Sequence, residues 1–457
     1  MSSAGVNPMM LSAQYSEIPN ELTSSERKKP IPLSVKQVAI STQSGSASSG
    51  SQVNFQISSA NGFIKPSSMY VKCRITLTNS GGNAVADAVV TFGNACRNAS
   101  SIIDRFTVSS GNQLESINNY GSSYVPSLLL HCSNKSYLDG DDKLLEGSYR
   151  GVSGWNVGAG SAMPAGSATS ASQNAWLDVK AGSALNTNTY IDVCIPIYSN
   201  LFSNEKAFPL CLLSQATNIS LDLAVFGKAF YVSEGYTDFT VSNAQICYDL
   251  LQVNADYLLA LKGQMAQGML YSIPFTSVMS SQFAKQGAST TISWGLGLSS
   301  LKGCTYSCLV APTTVTNAKY LISDCTVGTL AGNNFRMFID GIQQSAVVVD
   351  SSSARYSSQQ QVFGLLTDVS RSVSSGGIVT FGATNYAVTA QTFDNHFFLG
   401  GQASHKVSEL MAMTGSQCNQ LSLIIETDQT AGTVILCNAW HDRIVVVDAS
   451  GSANIVL

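Results

Sequence analysis

Charged residues are scarce in this chain of 457 residues. Asp, Glu, Lys and Arg together make up 11% of it, against about 25% in ordinary soluble domains. The 24 basic residues are outnumbered by 28 acidic ones, and the formal net charge is −4. This balance excludes a broad cationic surface, so we expect no sequence-specific nucleic acid binding. Hydrophobic residues still form 44% of the chain, which is enough for a large core.

Long apolar runs and an export signal are also missing. No stretch approaches the roughly 20 consecutive apolar residues that cross a bilayer. The first residues, MSSAG, do not begin a basic and then apolar leader. The eleven cysteines are scattered, without a CxxC pair and mostly among apolar neighbours. We therefore expect reduced thiols that serve as small hydrophobic side chains in a reducing compartment.

Motifs for catalysis and cofactor binding are absent as well. The chain has no GxxxxGK[ST] phosphate loop, no GxGxxG turn between a strand and a helix, no HExxH and no GxSxG. His441 is followed by Asp442, but adjacent residues on a strand point to opposite faces, which disfavours a hydrolase triad. We expect no enzyme, no catalytic residue and no cofactor.

Two groups of residues have the composition of a metal site. Cys304 and Cys308 are four residues apart, which on a strand separates them by about 13 Å, too far to share one ion. Asp139, Asp141 and Asp142 surround a glycine and could hold Ca²⁺, although an exposed acidic turn is the favoured interpretation. We expect no metal site.

Short β-type runs dominate the chain from residue 37 onward. Residues 52–57 and 70–77 alternate polar and apolar side chains, which is typical of half-buried strands. Clusters of Gly, Ser and Asn separate the runs, as at residues 44–51 and 158–171. The pattern predicts an antiparallel, all-β protein with long loops.

Helical patterns are confined to two segments. In the first, Pro126 should break or restart a helix whose apolar face consists of Ile117, Tyr120, Tyr124 and Leu128. The second covers residues 254–265, with Asn254 as its N-cap. Its apolar side consists of Leu258, Leu261 and Met265.

A weak internal repeat divides the chain into two halves of about eight strands each. Residues 70–77 and 103–108 in the first half correspond to residues 304–310 and 334–341 in the second. Two consecutive eight-stranded jelly-roll β-sandwiches fit this repeat.

The predicted boundaries follow from this repeat. An N-terminal arm covers residues 1–34, and the first jelly roll covers 35–254, with a long surface loop at about 147–188. A linker helix at 255–268 leads to the second jelly roll at 269–457.

Several motifs, taken in their order and spacing, resemble those of double jelly-roll major capsid proteins of double-stranded DNA viruses, of the polinton-like and virophage kind. In the first half they are QISSANGFIKP at 56–66, QLESINNY at 113–120, IPIYSNLFS at 195–203 and AFPLCLL at 207–213 ahead of NISLDL. In the second half the motif is AWHDRIVVVDASG at 439–451.

The resemblance implies a homotrimer whose six jelly rolls form a pseudo-hexameric capsomer of an icosahedral shell. The implied partners are neighbouring capsomers, minor capsid and penton proteins, and in some cases an internal membrane. The location would be the virion, assembled in the host cell interior. Arg27, Lys28 and Lys29 in the arm are candidates for contact with an anionic surface. A carbohydrate-binding or adhesive β-sandwich surface protein is the alternative, because it would share the Ser, Thr, Asn and Gly composition.

Overall fold

The structure is a computed structural model of the chain. It describes residues 33–58, 62–79, 90–92, 99–132, 188–203, 206–232, 236–284, 289–310, 335–344, 399–402, 415–426 and 433–456. Arg27, Lys28 and Lys29, the acidic turn at 139–142 and nearly all of the predicted surface loop lie outside the described residues.

Strands make up most of the described chain. In chain order they are β1 Leu33–Ser41, β2 Ser46–Ser48, β3 Gln52–Ile57, β4 Gly62–Ile64, β5 Tyr70–Asn79, β6 Val90–Phe92, β7 Ile103–Ser110, β8 Asn112–Asn118, β9 Asn188–Pro196, β10 Thr217–Leu223, β11 Phe230–Val232, β12 Tyr236–Val253, β13 Tyr271–Ala284, β14 Ser289–Val310, β15 Phe335–Ile339, β16 Ile342–Gln343, β17 Leu399–Gln402, β18 Ser416–Glu426, β19 Thr433–Val447 and β20 Ala453–Ile455.

Helices are short and few among the described residues. The α-helices are α1 Val125–Cys132, α2 Phe226–Ala229 and α3 Ala255–Ala266, and 3-10 turns lie at Ala99–Ile102 and Leu210–Leu212. A wide helical turn, Tyr120–Tyr124, precedes α1. None of the helices in the described ranges combines the length and apolarity needed to cross a bilayer.

The first unit is a sandwich of two antiparallel sheets. One sheet has the order β1-β12-β5-β9, and the other has the order β3-β10-β7-β8. If these eight strands are counted along the chain, the two orders are 1-8-3-6 and 2-7-4-5. This is the connectivity of a jelly roll, in which the chain alternates between the sheets.

The second unit repeats this connectivity through one long strand, β14. Residues 289–301 of β14 pair with β18, whereas residues 301–310 pair with β19 and residues 303–306 also pair with β17. Register shifts between Gly295 and Gly303 mark the place where the strand passes from one sheet to the other.

Counting β14 as two strands gives the layers β13-β19-β14-β17 and β14-β18-β15-β16, which again have the orders 1-8-3-6 and 2-7-4-5. The predicted double jelly roll is therefore confirmed. The exact boundaries of the arm, the linker and the two rolls remain predictions.

β19 contributes to both hydrophobic cores. Ile435 and Cys437 belong to the core of the second sandwich. Leu436 and Trp440 belong to the core cluster of the first unit. Because neighbouring residues of a strand point to opposite faces, β19 lies between the two cores and joins the jelly rolls.

The first predicted helical face was partly wrong. Ile117 lies in β8 and not in a helix. Pro126 does restart the helix, because it occupies the first turn of α1, where a missing N–H interrupts no helical hydrogen bond. The second predicted helix is present as α3: Asn254 caps it by accepting a hydrogen bond from the Asp256 backbone N–H at 3.3 Å.

Candidate functional site: the interface between the two jelly rolls

Residues from three of the resemblance motifs meet in a buried layer between the two jelly rolls. Glu115 comes from β8, Ser199 from the turn after β9, and Arg443 from β19. The Ser199 hydroxyl donates a hydrogen bond to Glu115 Oε2, and both residues are buried. The positive charge of Arg443 acts on the same carboxyl group. A buried acidic side chain of the first unit therefore lies within the electrostatic influence of a half-buried basic side chain of the second.

Burial is the largest influence on the pKa values of Glu115 and Arg443. It raises the pKa of Glu115 to about 7, although the Ser199 hydrogen bond and the Arg443 charge both act to lower it. Burial also lowers the pKa of Arg443, and the carboxyl of Glu115 opposes that shift. Within the described part of the chain, Glu115 Oε1 and Arg443 Nε have no hydrogen-bond partner. The carboxyl therefore holds its proton to a higher pH than an exposed glutamate does.

A buried ion pair lies within the adjoining strands. Lys302 Nζ is 2.8 Å from Asp442 Oδ1, and the Lys302 side chain is 0% exposed. Lys302 also donates to Thr276 Oγ1 at 3.0 Å. Ser300 Oγ donates to Asp442 Oδ2 at 2.6 Å and accepts from the Gly415 backbone N–H at 2.9 Å. These partners offset part of the cost of removing two charges from water.

His441 and Asp442 have separate partners. Asp442 is bound by Lys302 and Ser300. The imidazole of His441 is buried, and its Nδ1 lies 3.3 Å from the Ala439 carbonyl oxygen. Burial, followed by the charge of Arg443, lowers the pKa of His441 to about 4. The imidazole is therefore neutral at physiological pH, and the geometry is that of packed strands instead of a hydrolase triad.

Side-chain amides cross the interface at several further points. Asn200 Nδ2 donates to the Thr276 carbonyl at 2.6 Å. Asn438 Nδ2 donates to Ser123 Oγ at 2.8 Å, and Asn119 Oδ1 accepts from Gln282 Nε2 at 2.7 Å. In each case one partner belongs to the first unit and the other to the second. Such directional contacts fix the angle between the units more narrowly than apolar packing alone.

A chain of aromatic rings runs through the same interface. Each ring is tilted against the next in the order Phe106, Tyr120, Tyr124 and Trp440, with centroid distances of 5.5, 5.6 and 5.5 Å. The Tyr120 hydroxyl accepts a hydrogen bond from the Tyr198 backbone N–H at 2.8 Å. The aromatic chain leads from a core strand of the first roll directly into β19 of the second.

Seven cysteines of the described ranges are free thiols, and all of them except Cys194 are buried: Cys73, Cys194, Cys211, Cys247, Cys304, Cys418 and Cys437. Burial raises the pKa of the Cys304 thiol, and Cys308 lies opposite Ile435 in the β14–β19 ladder. In the described ranges, no three His, Cys, Asp or Glu residues are close enough together to hold a metal ion. The placement of Cys304 fits its interpretation as a core residue.

An open groove of about 650 Å³ lies on the outer face of the first unit, near β5 and β9. Lys72, Arg74 and Asp192 are among the residues that line it. Arg74 donates two hydrogen bonds to Asp192, at 2.8 and 2.9 Å. Arg74 and Asp192 therefore neutralise each other within the groove.

Sequence reasoning missed the residues of the buried ion pair. Lys302 is the only charged residue among positions 286–317 of the sequence, in a long β-type stretch. A lone charge in such a run is the signal that could have identified it, because a buried lysine needs a partner. The pattern could not identify Asp442 as that partner, since the two residues are far apart in the chain.

No model of a known protein family matches the sequence, and no curated protein matches it either. Solved structures match over nearly the whole chain. The PBCV-1 virus capsid protein matches with a TM-score of 0.57 and 10% identity, over 95% of this chain and 99% of that one. The Sputnik virophage structure gives a TM-score of 0.55 and 13% identity, over 100% and 93% of the two chains.

The Faustovirus major capsid protein gives a TM-score of 0.55 and 9% identity, over 95% of this chain and 96% of that one. At such low identities these matches show that the fold is shared. The matches cover at least 95% of this chain and so extend over both of its jelly rolls.

Proposed function

We propose that this chain is a viral major capsid protein with a structural and not an enzymatic role. One observation is the main support for this proposal. The same jelly-roll strand order occurs twice, and the whole arrangement matches capsid chains over more than nine-tenths of their length. Fold alone does not define function. The interface described above supports the proposal, because its polar groups serve packing and leave no reactive group exposed.

The trimer is the finer part of the proposal. Two similar sandwiches held at a fixed angle form one third of a hexagonal outline, and three copies around an axis complete it. A rigid angle matters because each tile must fit its neighbours on every side. Neighbouring capsomers, penton proteins and minor capsid proteins would then be the partners, in a virion assembled inside the host cell.

The segments outside the described residues complete the proposal. The loop at 147–188 would face outward, where its Gly and Ser residues can remain solvated. Arg27, Lys28 and Lys29 of the arm would contact an anionic surface, such as an internal membrane if the virion has one. These assignments derive from the resemblance and the residue types alone.

Light scattering on the purified chain tests the trimer. Three copies of 48.2 kDa give a mass near 145 kDa. That mass should persist on dilution to nanomolar concentration, because obligate interfaces commonly bury more than about 2,000 Å². Electron microscopy at high concentration should show hexagonal tiles or shells. A stable monomer that forms no lattice and binds a glycan array would instead support the carbohydrate-binding alternative.

A further inference from the structure

Helix α3, Ala255–Ala266, has an apolar outer side. Leu261 and Met265 on its inner side are buried in the first core. On the outside, Leu259 is 68% exposed and Tyr257 is 38% exposed. Asp256 and Lys262 are the only charged residues in its twelve positions. A helix that is apolar on both sides is normally covered by other protein.

Exposed apolar side chains are concentrated around this helix. Met269 and Leu270 follow it directly, and Val35 lies on β1 beside the strand that leads into it. Together with Tyr257 and Leu259 they make five of the eight large hydrophobic side chains that are exposed in the described part of the chain. Scattered exposed hydrophobics need no explanation, but such a concentration marks a contact surface.

The described chain begins beside this surface. Leu33, the first residue of β1, is in register with Val253, the last residue of β12. Asn254, the next residue, is the N-cap of α3. Because β1 and β12 are antiparallel, the chain before Leu33 must leave β1 next to the first turn of α3. Residues 1–32 are therefore tethered at the edge of the apolar surface.

We propose that the N-terminal segment, residues 1–32, docks on the outer side of α3 in the same chain. The tether supports this occupant over a second copy, because a short linker gives an effective concentration in the millimolar range. Fifteen residues can reach about 50 Å when extended, whereas a twelve-residue helix is about 18 Å long. The segment easily covers α3.

The residue types of the segment fit the surface. Ile18, Leu22 and Ile31 can cover apolar side chains. The basic residues 27–29 lie four to six positions before Leu33. They can therefore reach Asp256, which lies in the first turn of α3, the end nearest to the tether. Contact between these opposite charges would orient the segment along the helix.

Hydrogen exchange with mass spectrometry tests the docking. Four proteins are compared: the full chain, a chain lacking residues 1–30, and the Leu259→Ala variant of each. Alanine keeps the helix propensity of leucine or improves it, so any loss of protection in the variant reports a lost contact. We expect amides 255–268 to exchange at least tenfold faster in the truncated chain. Amides 70–79 should be unchanged, which shows that the fold is intact.

The variant separates docking from general loosening. Leu259→Ala should accelerate exchange in the full chain and have no further effect in the truncated one, as expected when two changes remove the same contact. Val225→Ala, at another exposed valine, should leave exchange of α3 unchanged. Equal protection of α3 with and without the segment would overturn the proposal. That result would assign the surface to a second copy. Protection that appears only with anionic vesicles would also overturn the proposal, because it would assign residues 27–29 to a lipid surface instead of to Asp256.

Discussion

Two buried ionisable residues in the interface respond to pH in opposite directions. The pKa of Glu115 is raised to about 7 from 4.5, so the folded chain holds a proton that the unfolded chain releases. Its stabilising contribution is complete below pH 4.5 and is lost as the pH rises to 7. The pKa of His441 is lowered to about 4 from 6.5. Its contribution is complete above pH 6.5 and is lost as the pH falls toward 4.

Glu115→Gln should remove the first of these effects. Glutamine keeps the shape and cannot ionise, so the variant should be more stable than the parent chain at pH 8, by up to about 3 kcal/mol. At pH 5 the two chains should differ little. Thermal or urea unfolding at both pH values measures this difference.

The control for this experiment is Asp256→Asn on the exposed side of α3. It should shift stability by less than about 1 kcal/mol at either pH. In Glu115→Gln, the remaining dependence of stability on pH should be that of His441. The free energy of unfolding should therefore rise between pH 4 and 6.5. An unchanged pH profile in Glu115→Gln would show that the carboxyl is not buried as described.

Lys302→Met tests the buried ion pair. It leaves Asp442 charged and without its cation in a site that is almost fully enclosed. The expected loss of unfolding free energy is about 3–5 kcal/mol. Adding Asp442→Asn should recover much of this loss, because the amide oxygen can still accept the Ser300 hydrogen bond. If the double variant were as unstable as the single one, the charge of Asp442 would not be the cause.

At the scale of elements, the helical turn Tyr120–Tyr124 depends on one glycine. A Cβ on Gly121 would overlap the backbone carbonyl oxygen of Ser100 and lie 2.9 Å from that of Ile103. Neither atom belongs to a flexible side chain, so the turn itself would have to move. The turn carries Tyr120 and Tyr124 of the aromatic chain into the interface.

Gly121→Ala should therefore destabilise the chain by about 3 kcal/mol or more, as overpacking against fixed backbone does. Gly263→Ala is the matched control, because a Cβ there meets no atom within 4 Å. It lies inside α3, where alanine is favoured over glycine by about 0.8–1 kcal/mol. Calorimetry should show opposite shifts in unfolding temperature, and equal shifts would contradict the close contact at Gly121.

At the level of the complete chain, the interface joins the two rolls, whereas residues 147–188, the predicted surface loop, lie between α1 and β9 in the sequence. A short polar insertion after Gly160 should leave the light-scattering mass near 145 kDa, because surface loops tolerate added length at little cost. The same insertion after Asn119, within the interface, should abolish the soluble assembly. Loss of assembly from the insertion at Gly160 would show that the loop contributes to the core or to the trimer contact.

The alternating strands, the N-cap of α3 and the double repeat could all be predicted from the sequence. Alternation of side chains at residues 52–57 and 70–77 depends only on which face of a strand is buried, and it is visible locally. The N-cap at Asn254 is local as well, because its side chain bonds a backbone N–H two residues away. The motifs around Glu115 and Arg443 were visible as a resemblance, without any sign that they meet.

Two features became visible only in the folded chain: β14 takes part in two sheets, and certain charged side chains are buried. β14 pairs with strands more than 100 residues away in sequence, and no local pattern specifies such partners. Lys302 and Asp442 are 140 positions apart, and Glu115 and Arg443 are 328 apart. Lys302 and Asp442 are brought together by the pairing of β14 with β19. The charge of Arg443, in the second roll, acts on Glu115, in the first, only once both rolls have folded against each other.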